Sequence, residues 1–156
     1  MPDTPQSLAD RLLLEGGRVV EFFNQIRTPQ WSQPAYPGQG DWNLHALLAH
    51  FLSAELGRGE LISQVAQGGS GAPPDFKIDE YNLLGVTKLE VESNVTLLDS
   101  FWTERVKLAE FVASLSQNDL ERRGNDPFLG QTTLCEIIKL TYRHNQIHIR
   151  EVRGNL

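Results

Sequence analysis

Apolar positions recur at helical spacing in four long stretches of the chain. Between Ser7 and Ile26 they fall at Leu8, Leu12, Val19, Phe22, Phe23 and Ile26, as when one stripe of a helix faces a core. This predicts a first helix over residues 7–27, opened by Ser7 and Asp10 in a capping-box arrangement. Leu44, Leu47, Leu48, Phe51, Leu52, Leu61, Ile62 and Val65 predict a second over 44–67, with Asn43 as its N-cap. Val95, Leu98, Phe101, Trp102, Leu108, Phe111, Val112 and Leu115 mark another over 94–116, capped by Ser93 or Asn94. The last spans 133–153 and starts on Thr133 with Glu136 three residues on. A shorter stretch near 79–91 reads as an accessory helix, and Ser116 to Leu120 as a single capped turn. Arg122 to Gly130, punctuated by Gly124, Pro127 and Gly130, reads as an irregular connection, and no useful stretch has the period of a strand. Helices alone must therefore bury one another's stripes, which predicts an all-α bundle of four main helices and one short accessory helix.

The breaks in this pattern change the picture only slightly. Gly16 and Gly17, inside the first helix, each cost about 1 kcal/mol relative to alanine, which suggests close approach of a neighbouring helix or a local bend. Thr28 to Gly40 holds Pro29, Pro34 and Pro37 together with Trp31 and Tyr36, so it is a loop that packs. Gly68 to Pro74 is the clearest interruption, but its length suits a loop and not a linker, so residues 1–156 are expected to form a single domain. A composition 40% hydrophobic and 22% charged is that of an ordinary globular chain. A net charge of −6 carries no electrostatic footprint for nucleic acid. Asp3, Asp10, Arg11 and Glu15 interrupt any secretory apolar region, and no run is long enough to cross a membrane, so a cytoplasmic location without a membrane partner is expected. The single cysteine, Cys135, excludes an internal disulfide and a cysteine-based zinc site. Its place in the first turn of the last helix would lower a thiol pKa, but a small apolar residue in a core layer is the commoner role there.

Chemistry enters with the histidines. His144 and His148, one helical turn apart, continue the stripe of Leu134, Ile137, Thr141 and Val152 and so point inward. His50, three residues after Leu47 and four before Ala54, is the inward histidine of the second helix. His45, about 140° away around that helix, falls in its first turn and is expected at the surface. A buried imidazole without a partner costs on the order of 2 kcal/mol. Inward histidines therefore need acceptors, a charge or a metal, and both hydrogen-bonded core residues and a shared ion meet that need. With one cysteine that is not a ligand, any metal rests on histidine and carboxylate. Glu55, Asn82, Asn145 and Arg150 are candidates to orient a ring or to hold substrate. The loops at 28–40 and 68–77 are candidates to shape a pocket.

Taken in order, these features resemble the DinB-like superfamily of four-helix bundles, which includes YfiT-like hydrolases, mycothiol-dependent maleylpyruvate isomerases and bacillithiol transferases. The resemblance rests on Trp42-Asn43-Leu44-His45-Ala46-Leu47-Leu48-Ala49-His50 and on the His-x-x-x-His of His144 and His148. Asp79-Glu80-Tyr81-Asn82 and Leu115-Ser116-Gln117-Asn118-Asp119-Leu120 add to it. It implies an antiparallel bundle in which His50, His144 and His148 bind a divalent metal, zinc or nickel, with open positions for water. It also ranks Asn82 first, ahead of Arg150, as a substrate contact. Glu151 departs from the pattern, since many members carry glutamine there. Three neutral imidazoles leave a coordination position for water or a thiol sulfur. The resemblance thus implies a metal-dependent thiol S-transferase or hydrolase acting on a small electrophile, with an external low-molecular-weight thiol as cosubstrate. Its alternative is a non-catalytic binding, sequestration or stress-protection module of the same fold. Exposed apolar surface on a small bundle is compatible with a homodimer.

Overall fold

The computed structural model describes residues 2–156. Its five α-helices are α1 (Pro5–Asn24), α2 (Leu44–Ala66), α3 (Ile78–Leu89), α4 (Asn94–Ala113) and α5 (Leu134–Arg153). Three starts follow the expected caps: Asn43, Ser93 and Thr133 each accept a backbone N–H from three residues on. The first start does not. Thr4, not Ser7, is the N-cap, and Thr4 and Ser7 exchange side-chain bonds to each other's backbone N–H while Pro5 opens the helix. Proline's fixed φ suits that first position, which moves the start ahead of the predicted one.

The connection after α4 is a correction. After a short 3₁₀ turn at Asn118–Glu121, residues expected to be irregular form an antiparallel hairpin of β1 (Arg123–Asp126) and β2 (Gly130–Thr133). Each strand has four residues, too few for a period of two to stand out. The hairpin is anchored from outside. Asn125 donates its N–H to the Ser70 carbonyl and accepts from Ala72 N–H, both at 2.8 Å, so the loop after α2 runs beside β1.

Helix α4 packs on α1 and α2, and α5 packs on the other side of the same two. Two apolar clusters fill the interior. One joins the C-terminal half of α1 (Val19, Phe22, Phe23) to the N-terminal halves of α2 and α4 and to Val152 near the end of α5. The other joins Leu8 and Leu12 to Ile62 and Val65, Leu108 and Val112, and Leu134 and Ile137. Sharing ends in this way means that α1 and α5 run one way and α2 and α4 the other, with α3 carrying the chain back between α2 and α4.

A polar layer separates the clusters. Arg105 of α4 has no exposed surface, and its guanidinium grips both carboxylate oxygens of Glu55 on α2 at 2.6 and 2.9 Å. It also donates to Asn145 Oδ1 on α5 at 2.5 Å and to the Leu12 carbonyl on α1 at 3.0 Å. The side chain passes directly over Gly16, where a Cβ would lie 2.7 Å from Arg105 Cγ. Close approach therefore accounts for Gly16, while Gly17 faces open space.

Candidate metal centre

Above the polar layer, α2 and α5 bring three imidazoles together. His50 is buried at 3% exposure, with Trp42 tilted against its ring at a centroid distance of 4.8 Å. Its ring lies 5.5 Å from that of His144 and 5.3 Å from that of His148. One nitrogen from each of the three falls within 4.8 Å of the others. The Nε2 atoms of His144 and His148 are 2.9 Å apart. On its other side the His148 ring is held at Nδ1 by the Tyr36 hydroxyl, which arrives from the 28–40 loop.

Burial sets the charge state of this cluster. It pushes His50 down to about 4, helped by nearby His148, and His144 down to about 3, helped by His148, His50 and Arg58. His148 is also lowered by burial, opposed by the Glu151 carboxylate. All three rings are therefore neutral near pH 7 and offer lone pairs. His50 Nδ1 is buried with no hydrogen-bond partner, a state that normally requires an explanation. Three convergent neutral imidazoles, one with an orphaned nitrogen, suit a borderline ion such as zinc or nickel. These residues fit the group that the fold family implies.

Beside His50 and His144 lies a cavity of about 320 Å³, walled by α2, by α3, by the loop after α2 and by the hairpin turn. Asn82 stands on its wall, together with Tyr81, Arg58 and Phe128. Of the two loops expected to shape a pocket, 68–77 lines this cavity through Gly71, Ala72, Pro73 and Phe76. The 28–40 loop instead supplies Tyr36 to His148.

Other candidates lie elsewhere. Arg150 is exposed and borders a separate groove between α1 and α5, away from the cavity. Glu55 and Asn145 orient no imidazole, because both are taken up by Arg105. Glu151 is exposed, and its charge reaches Tyr36 and His148. His45 is half-buried and not at the surface as expected; its ring bonds the Asn94 side chain and, at 2.7 Å, the Glu90 carbonyl. It fastens the start of α2 to the turn between α3 and α4. Cys135 contacts Asp3, and burial raises its thiol to about 11, as suits a packing residue.

Sequence reasoning passed over three residues: Tyr36 as a partner of His148, Arg58 and Arg105. The last two carried a signal. Arg105 stands four residues after Phe101 and three before Leu108, and Arg58 four after Ala54 and four before Ile62, so both interrupt apolar stripes. A charge on such a stripe is buried and paired, or the stripe ends there. Tyr36 lies 112 positions from its partner and carried no local signal.

The family model of the DinB superfamily matches residues 12–152, and the chain belongs to that superfamily. Among solved structures, the fold is similar to that described as the crystal structure of the mycothiol-dependent maleylpyruvate isomerase. The TM-score is 0.74 at 12% identity, over 95% of this chain and 59% of that one. The likeness is one of fold, and this chain spans well under two thirds of that enzyme's length. A search of curated proteins returned no match. No helix among the described residues is long and apolar enough to cross a membrane.

Proposed function

We propose that His50, His144 and His148 hold a divalent metal, zinc or nickel, and that the protein is a metal-dependent thiol transferase or hydrolase acting on a small electrophile. The observation that carries this reading is the convergence of three neutral imidazoles, one with an orphaned buried nitrogen, two of which, His50 and His144, line a cavity. Bound there, such an ion depresses the pKa of a thiol or water and offsets developing negative charge.

The chain's own residues do the rest. Burial keeps the imidazoles unprotonated at neutral pH. With His148 Nε2 turned toward the cluster, Nδ1 carries the proton and donates it to the Tyr36 oxygen, fixing the tautomer. Burial, then the Glu151 charge, raises the Tyr36 phenol to about 12, so it stays neutral. Trp42 packs against the His50 ring and Phe128 stacks on that of His144. Asn82 is positioned to contact substrate from α3. The raised Cys135 thiol makes the protein a poor source of its own nucleophile, so an external low-molecular-weight thiol serves as cosubstrate. The fold neighbour, described as mycothiol-dependent, supports the same choice.

The test is the metal content of protein purified without an affinity tag, beside His148→Ala, followed by assay of the metal-loaded protein against small electrophiles with and without a panel of thiols. Near-stoichiometric metal in the wild type, lost together with activity in the variant, is expected. A wild type that cannot be loaded with zinc or nickel would remove the reading. Metal without turnover across the panel would favour a binding module.

A further inference from the structure

The cavity beside the histidines is not uniformly apolar. Ala54, Leu61, Phe76, Ile78, Phe128 and Leu140 supply hydrocarbon, but Arg58, with its side chain 12% exposed, lines the same space. Its guanidinium is only partly engaged. Nε donates to Thr141 Oγ1 at 3.3 Å, Nη1 to Asp126 Oδ2 at 2.6 Å and Nη2 to the Ile137 carbonyl at 2.7 Å. A guanidinium has five N–H groups, so one on each terminal nitrogen is without a partner among the described residues.

Apart from Asn82 and the two histidines, the other polar side chains of the wall are already spent or are exposed. The Gln64 amide bonds both backbone groups of Gly71, and the Tyr81 hydroxyl donates to the Ser53 carbonyl. Glu60 is exposed to solvent. Asp126 is engaged at both oxygens: Oδ1 takes the N–H groups of Phe128 and Leu129, and Oδ2 takes Arg58. Arg58 and Asp126 cancel in charge, and three neutral imidazoles cancel none of the charge of a divalent ion beside them.

We infer that this cavity takes a ligand with an apolar body and a terminal carboxylate, the carboxylate accepting the two unused N–H groups of Arg58 next to His144. A planar fork of donors matches a carboxylate, and charge-assisted bonds of this kind are the stronger ones. An apolar pocket with one such polar anchor fixes a ligand's orientation, here toward the histidines. The inference rests on the proposed reaction centre for its claim that the ligand is a substrate, and on the cavity alone for its claim of binding.

Calorimetric titration of the metal-free and zinc-loaded protein with 4-phenylbutanoate and 4-phenylbutanamide tests it. The carboxylate is expected to bind roughly tenfold or more tightly than the amide, and more tightly still with zinc present. Arg58→Lys keeps the charge and a bond to Asp126, so the fold survives, but it loses the fork. It should weaken the carboxylate roughly tenfold and leave the amide nearly unchanged. Ala54→Leu, which fills the cavity from its wall, should abolish both. Equal binding of acid and amide, equal weakening of both by Arg58→Lys, or unaltered binding in Ala54→Leu would overturn the inference while leaving the metal reading intact. Carboxylate binding in a protein that takes up no metal would sustain the pocket and remove the reaction centre.

Discussion

Tyr36 is attached to a proline-rich loop, yet its hydroxyl meets His148 Nδ1, and the ring carrying that nitrogen lines up with His144 and His50. The loop is itself fastened: Ala35 N–H bonds the Trp42 carbonyl, and Asn155 reaches the Ala35 carbonyl at 3.2 Å. Groups that orient a ligating imidazole in this way typically contribute 10–100-fold to metal affinity. Tyr36→Phe should therefore lower zinc affinity by about that factor, in competition with a chromophoric chelator, with the circular dichroism spectrum unchanged. The same scale governs acid sensitivity. His50 and His144 titrate near 6.5 when unfolded but are held to about 4 and about 3 in the folded, metal-free protein. Between those values the unfolded chain binds more protons, so stability falls as pH drops below about 6.5, by about 1 kcal/mol per pH unit for each histidine. Urea midpoints measured from pH 7 to pH 5 should show this slope in the metal-free protein and a shallower one in His50→Gln.

At the scale of elements, the hairpin is the part that sequence pattern did not reveal. Its strands are too short for alternation, and besides its own ladder it is held by a loop some fifty positions away. Gly71 lies in the left-handed region at φ +92°, and a Cβ there would collide with the Asn125 backbone. Gly71→Ala should thus break the stitch between the loop and β1, destabilising the protein by about 1–3 kcal/mol and widening the cavity mouth; a thermal melt measures the first effect. The long helices were legible because their stripes repeat over several turns and their caps are local. The exact start of α1 was less so, because Thr4 and Ser7 both qualify as caps and Pro5 decides between them. His45 was misplaced for a related reason: a first-turn position is polar and exposed on an isolated helix, and only the arrival of Asn94 and Glu90 covers it.

For the whole molecule, the inward histidines of α2 and α5 could be read from spacing because a stripe points at one interior wherever its helix packs. What joins the helices across that interior could not, since Arg105 draws its partners from α1, α2 and α5 at once. Removing one member of such a buried ion pair strands the other, at about 3–5 kcal/mol. Arg105→Met should cost that much in urea unfolding, and adding Glu55→Leu should recover most of it. The same side chain has a second effect at a distance. Asn145 follows His144 directly, and Glu55 comes five residues after His50. By gripping both, Arg105 sets the rotational phase of the two helices that carry the imidazoles, so a helix that contributes no ligand acts as the indexing pin that decides at what angle the three rings face one another.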